Sequence, residues 1–448
     1  MFKLKPTYPY LGRTEPLLDA RAVNRCDLST VGGGDAEQLP EYIGNVLQIL
    51  PANDRVQPVL AKLTTTTAMV FYRNINDAKK LYHKIVVLTS LLLSQEIEVT
   101  LLNTSGKNIT AFAAVGLSDN KVLLAYQLSD SRDLWVRIGN VSGVTATFGS
   151  AVSVNTSMYP DLDWNQLELR KVTSGKVIIS APTTFVVNSP PIALDTSATK
   201  TGVQVIDIDG SDVITYGAVY ETPWGDAVGG RLAVCDTSLG MIVTTLGDRS
   251  TNPFCTLASF SITGTVIAFN AQSTYWNVTQ VPESVDREEG RFLLYDIAPT
   301  STTKAMVYGG AYVYKGVGAE NDYGYGAFVA TDTAGVTAST TKLIDEKTVV
   351  RVGVPTAEPV CTAAAHNSKV VVLMAIRDQY PFAILIAQYS NVTSTPIRAD
   401  SFYFSTDMAD VIFTPDIISM ESEDLLLGAF THRVGSTYQT KMFIASIA

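Results

Sequence analysis

The 448-residue chain is 46% hydrophobic but only 17% charged, and its formal net charge is −10. That balance excludes the basic Lys and Arg face that a grip on nucleic acid needs, and no apolar run reaches the ~18 residues of a membrane helix. The opening residues Met1 to Pro6 lack the apolar core of a secretory signal, so the expectation is a soluble protein released from its cell by lysis.

Val, Thr, Ser, Ala, Gly and Tyr recur throughout, which favours strands and turns over helices and sets the class as all-β. Residues 1–41 mix aromatic, proline and glycine residues, as in Thr7–Tyr10 and Val31–Asp35, and cannot build a core of their own. They read as an extended arm whose Tyr8, Tyr10 and Arg13 dock on a partner; a disordered terminus fits the same composition. Next, Asn45–Leu50 has the alternation and branched residues of a strand.

From there a polar turn followed by an apolar strand recurs. The copies are Thr67–Tyr72, Asp119–Tyr126, Ser174–Ala181, Gly240–Thr245, Thr303–Tyr308, Asn367–Leu373 and Glu423–Gly428. Counted from the first apolar residue of each, successive intervals are about 54, 55, 64, 64, 65 and 55 residues, within or somewhat above the lengths of propeller blades. The copies are apolar on both faces, as in sheets sandwiched between neighbouring sheets. Each is followed by an alternating strand, as in Leu134–Ile138, Val203–Asp207, Ala327–Ala330, Ala383–Ala387 and Lys441–Ala445. In the second repeat Ser142-Gly143 supplies a tight turn, with Thr145, Thr147 and Val152 beyond it as edge residues.

The last copy begins near Leu425, which leaves room before Ala448 for one more strand where a blade needs two. Asn45–Leu50 is the candidate to fill that place, since an open ring would expose a bare sheet edge. The expected fold is a single seven-bladed β-propeller over residues 42–448, closed by an N-terminal strand and preceded by the arm at 1–41.

Gly139–Val152, with Lys121–Tyr126 before it, resembles a blade repeat of β-propeller proteins in tailed-phage virions. The likeness is close in this repeat alone and elsewhere is one of period. It implies a particle component of the tail, tail tip or fibre attachment, and implies no chemistry, because a propeller is a scaffold for many functions.

Asp207, Asp209 and Asp212 alternate around Gly210, which suits an oxygen-loving cation such as Ca²⁺; an Asp-Gly hairpin turn explains the same residues. Tyr308, Tyr312, Tyr314, Tyr323 and Tyr325 stand among glycines in what reads as the longest insertion between strands, a composition that fits a recognition loop or aromatic packing between blades. Trp224 and Trp276 fall in the longer third to fifth repeats, where they suit sugar stacking, a protein partner or burial between blades. His83, His366 and His432 read as surface or turn residues. Cys26, Cys235, Cys255 and Cys361 show no metal-binding or redox spacing and read as thiols.

No S-x-D-x-G-x-T-W box of a sialidase-like enzyme and no G-x-S-x-G elbow occurs. The expectation is therefore a non-enzymatic virion component without cofactor. Its partners are other virion proteins and symmetric copies of itself, with neither nucleic acid nor membrane insertion. The alternatives are a propeller that binds a host receptor or surface glycan and, more weakly, a glycoside hydrolase.

Overall fold

The computed structural model describes residues 20–27, 42–48, 55–88, 92–99, 108–158, 167–183, 200–222, 227–246, 254–277, 291–313, 323–333, 360–375, 382–389, 396–404, 411–420, 425–434 and 437–446, apart from short breaks within these ranges. The chain is all-β and is arranged as separate antiparallel sheets.

Two strands precede the first sheet, β1 (Ala20–Asp27) and β2 (Tyr42–Gln48). The first sheet holds β3 (Arg55–Lys62), β4 (Thr67–Asn74) and β5 (Leu81–Val87), with the short β6 (Leu92–Leu93) and β7 (Ile97–Val99) along β5. The second holds β8 (Ile109–Ser118), β9 (Lys121–Leu128) and β10 (Leu134–Ser142), with β11 (Thr145–Phe148) and β12 (Val152–Asn155) along β10. The third holds β13 (Glu168–Thr173), β14 (Lys176–Pro182) and β15 (Thr201–Ile208), with β16 (Ile214–Tyr216) and β17 (Tyr220–Glu221) along β15.

The fourth sheet runs β18 (Ala227–Asp236), β19 (Leu239–Leu246), β20 (Phe254–Thr263) and β21 (Val266–Asn277). The fifth runs β22 (Arg291–Pro299), β23 (Lys304–Val313) and β24 (Tyr323–Asp332). The sixth runs β25 (Val360–His366), β26 (Lys369–Ala375), β27 (Phe382–Tyr389) and β28 (Pro396–Phe404), with β1 outside β28. The seventh runs β29 (Val411–Ser419), β30 (Leu425–Val434) and β31 (Thr437–Ser446), with β2 outside β31.

All seven copies of the repeated strand are second strands of these sheets: β4, β9, β14, β19, β23, β26 and β30. They are apolar on both faces because both faces are covered. In β9 every residue from Val122 to Leu128 is buried. The apolar layers lie between neighbouring sheets. One joins Phe71 and Ile85 of the first sheet to Phe112 and Leu124 of the second. The next joins Leu123 and Val136 to Val177 and Ile206 of the third. A third joins Ile178 and Val205 to Ile242 and Phe260 of the fourth, and a fourth joins Met241 and Val243 to Ile297 and Val307 of the fifth. A further layer joins Leu60, Val70 and Tyr72 of the first sheet to Leu427 and Met442 of the seventh.

The first strands of successive sheets lie side by side. Contacts run from β3 to β8, β13, β18, β22, β25 and β29, and β29 in turn lies against β3. The β3–β8 approach is so close that a side chain at Gly116 would collide with the backbone carbonyl of Lys62, so that position of β8 requires glycine. At the far edge of the seventh sheet β2 pairs with β31 in antiparallel register from Tyr42↔Ser446 to Gln48↔Lys441, interrupted by a bulge between Ile43 and Val46. The strand expected at Asn45–Leu50 thus begins three residues earlier and ends at Gln48. In the second sheet Gly143 takes φ +59° in the Ser142–Thr145 turn, a left-handed conformation that glycine adopts without strain.

Candidate functional site

The chemistry-bearing groups best placed by the fold are on the first strands. Three of these carry one acid each within an apolar neighbourhood: Glu168 on β13, Asp296 on β22 and Asp416 on β29. Glu168 and Asp296 are buried and Asp416 is half-buried. Each accepts a hydrogen bond from a backbone N–H on the first strand of the next sheet. Leu232 N donates to Glu168 Oε2 at 2.8 Å, Ala363 N to Asp296 Oδ2 at 2.6 Å and Leu60 N to Asp416 Oδ2 at 2.6 Å.

The second oxygen of each acid is engaged too. Ile297 N donates to Asp296 Oδ1 and Ile417 N to Asp416 Oδ1, both at 2.8 Å. Glu168 Oε1 instead lies 2.5 Å from Arg170 Nη2, and Arg170 Nε donates to the Leu232 carbonyl at 3.0 Å. The Glu168–Arg170 pair therefore holds both backbone groups of Leu232. Carboxylates that accept backbone N–H groups at these lengths fasten one sheet to the next, since removing such an acceptor leaves a buried donor unsatisfied.

Burial pushes both the Glu168 and the Asp416 carboxyls upward. For Glu168 the pull of Arg170 opposes this, Asp296 adds to it, and Arg231 and the Leu232 N–H oppose it. Asp416 rises to about 6, with burial ahead of the opposing Leu60 N–H, Arg170 and Ile417 N–H, and with Asp296 adding a little. Asp296 and Arg170 act on both, so the three acids and two arginines share one electrostatic neighbourhood where the first strands meet.

His83 corrects the sequence reading. It stands within β5, not beside a turn, and is 1% exposed. Its ring lies 6.0 Å from Phe71 and 5.6 Å, edge-on, from Phe148 of the second sheet. Neither ring nitrogen has a hydrogen-bond partner. Burial lowers its pKa to about 4, so the imidazole is neutral at ordinary pH. Arg137 covers the neighbouring Phe148 ring at 6.0 Å and donates from Nε to the Gly149 carbonyl at 2.7 Å.

Two of the three aspartates of the candidate cation site have partners within the protein. Asp209 Oδ1 accepts from Ser211 N at 2.8 Å and Val213 N at 2.9 Å, which builds the β15–β16 turn. Asp212 takes φ +63° and pairs with Lys121 Nζ of the second sheet at 2.5 Å. Asp207 lies in the β15 ladder opposite Lys176 and Thr215. Among the described residues no group of three or more metal-ligating side chains comes together.

The tyrosines read as a loop fall mostly in strands: Tyr308 and Tyr312 in β23, and Tyr323 and Tyr325 in β24. Their register sets Tyr308 opposite Phe328, Tyr312 opposite Gly324, Tyr325 opposite Ala311 and Tyr323 opposite Val313. Trp276 is near the end of β21, opposite Cys255. Tyr8, Tyr10, Arg13, Trp224 and Tyr314 lie outside the described residues. Cys235 is a half-buried thiol whose Sγ lies 3.6 Å from the Lys304 carbonyl.

No protein-family profile matches the chain, and no curated protein does. Solved structures do resemble it. One is a prolyl endopeptidase, at 9% identity and TM-score 0.44, of whose length the chain spans 45% while 85% of this chain is covered. Another is the β-propeller domain of the Trilobed protease from Pyrococcus furiosus, at 9% identity and TM-score 0.38, covering 86% of this chain and 97% of that one. A third is the N-terminal domain of Nup159, at 11% identity and TM-score 0.40, covering 90% and 95%. Likenesses at this level do not extend to activity.

The three acids were missed in the sequence, yet a signal for them exists. Each stands nine residues before the first apolar residue of its repeat, Val177, Ala305 and Leu425 respectively. An acid recurring at one register in the third, fifth and seventh repeats, each time beside an aliphatic residue, marks a position on the fold and not a chance surface charge.

Proposed function

We propose that residues 42–448 form one seven-bladed β-propeller closed by β2, and that the protein is a non-enzymatic structural or adaptor component of a tailed-phage virion. The fold reading is supported by the pairing of β2 with β31, the contact of β29 with β3 and the apolar layer between the first and seventh sheets. The role is carried mainly by one observation. The acids where the first strands meet have their oxygens committed to backbone N–H groups and to Arg170, an arrangement that stiffens a scaffold. A glycoside hydrolase needs such acids turned toward a substrate.

The phage-like repeat agrees with this role, and it lies in the second sheet as β9, β10 and β11. On this reading the protein sits in the particle in symmetric copies, contacting other virion proteins through its arm and through the long connections of the third to fifth blades. β1 lies within the stretch expected to be the arm and belongs to the sixth sheet, so deleting residues 1–19, which leaves β1 and β2 in place, and imaging particles by cryo-electron microscopy tests this reading. The density for this protein disappears if the arm assembles it. A propeller that keeps its place in the particle, or that binds a glycan array with or without the arm, points instead to host-surface recognition.

A further inference from the structure

The joins between sheets are of two chemical kinds. Among the described residues an acid crosses at three of them, from Glu168 to Leu232 N, from Asp296 to Ala363 N and from Asp416 to Leu60 N. Between the first and second sheets the ionisable group is a base. His83 lies in that layer, against Phe71 of its own sheet and Phe148 of the other, and neither of its ring nitrogens has a partner. A carboxyl and an imidazole withdrawn from water both favour their neutral forms, but the neutral carboxyl holds a proton and the neutral imidazole has given one up. Parting the sheets lets water in. An acid join therefore releases a proton when it opens, and the His83 join takes one up, so rising pH favours the first opening and falling pH the second.

The surroundings of each group keep these directions. Burial is the leading cause of the upward shift of Glu168 and of Asp416, the latter to about 6, and of the downward shift of His83 to about 4. Both acids feel Arg170, which opposes the rise, and Asp296, which adds to it; Arg231 of β18 also opposes the rise of Glu168. β8, which lies against β13, has no charged residue. Beside β29, β3 brings Lys62, two positions past Leu60, and β25 brings His366 at its last position. The charges near His83 are cations: Arg137 over the Phe148 ring, and Arg73, whose Nη1 donates to the Ile109 carbonyl of the second sheet. Tyr126 is buried in the same layer. Neither guanidinium can pair with an imidazolium.

We propose that pH selects which join opens: mild acid loosens the first sheet from the second while tightening the joins made by Glu168 and Asp416, and a return to neutral pH reverses both. The device is built from the opposite charge types placed at different joins of one molecule. It stands apart from the virion reading, because purified protein alone shows it.

Hydrogen exchange of the full chain, read by mass spectrometry from about pH 4.5 to about pH 7.5 and corrected for the intrinsic pH dependence of amide exchange, tests it. Protection of the Leu60 and Leu232 N–H groups is expected to fall roughly tenfold or more as pH rises through this range, while protection of the β5 amides rises by a similar factor. Asp416→Asn is expected to flatten the response at Leu60 and to leave that at Leu232, and His83→Phe flattens the response in β5. Arg170→Gln is expected to move the midpoints at Leu60 and Leu232 to higher pH together, because Arg170 opposes the rise of both acids. Midpoints that stay in place in this variant count against the shared electrostatics. Responses of the same sign at both kinds of join, or protection that ignores pH, overturn the proposal, and the wild-type series decides this alone if a variant fails to fold.

Discussion

Replacing Asp416 with asparagine keeps the shape of the side chain and removes its charge. The Asp416 carboxyl rises in the folded protein from 3.8 to about 6, chiefly because it is buried. The folded state therefore binds this proton more tightly than the unfolded chain does, and the contribution of the wild-type residue to stability falls as pH rises from about 4 to about 6. At about 1.4 kcal/mol per pH unit the full effect is about 3 kcal/mol. Solvent reaches part of this half-buried side chain, which reduces the expected effect to roughly 1–3 kcal/mol. Asp416→Asn does not titrate, so between pH 4 and 7 the free-energy gap between the proteins shifts by that amount in favour of the variant. Urea unfolding of both proteins across this range measures the gap. A gap that stays constant, or that moves the other way, refutes the assignment of Asp416 as a strained carboxylate between β29 and β3.

His83→Phe removes two buried nitrogens that lack partners and is expected to stabilise the protein by about 1–2 kcal/mol at pH 7. The His83 pKa is lowered to about 4, so the wild type loses stability as pH falls from 6.5 toward 4, a loss the variant escapes; thermal melts at pH 7 and pH 4.5 show the difference. Gly116→Ala drives a methyl group into the Lys62 carbonyl, with an expected cost of about 3 kcal/mol or a failure to fold, read from soluble yield and melting temperature. Asp209→Ala deprives Ser211 N and Val213 N of their acceptor and is expected to cost about 1–2 kcal/mol, whereas adding Ca²⁺ or a chelator leaves the wild-type melting temperature unchanged.

The second strand of every sheet was legible because it is covered on both sides and so carries an unbroken apolar run, as Val177–Ile179 and Val370–Leu373 do. The first strands were harder to read. Glu168, Asp296 and Asp416 look like solvated turn residues until the backbone N–H of the next sheet supplies their partner, a contact between residues 64, 67 and 356 positions apart. The far half of β23 and the start of β24 read as an insertion for another reason. Gly309, Gly310, Gly324 and Gly326 have poor strand propensity and resemble a loop, yet Gly310 and Gly326 are direct ladder partners. His83 was misplaced because its neighbour Phe148 arrives from a different sheet. In the aspartate turn both readings use the same residues, and Lys121, which pairs with Asp212 across the sheet boundary, is 91 positions away in sequence.

The carboxylate fasteners join the third sheet to the fourth, the fifth to the sixth and the seventh to the first. Among the described residues the second sheet receives none of these on either side; it is held by apolar layers, by the tight approach at Gly116 and by polar contacts such as Arg73 Nη1 to the Ile109 carbonyl and the Lys121–Asp212 ion pair. Resistance to separation is thus expected to be uneven around the molecule, with the three carboxylate-joined pairs parting after the seams that have no such fastener among the described residues.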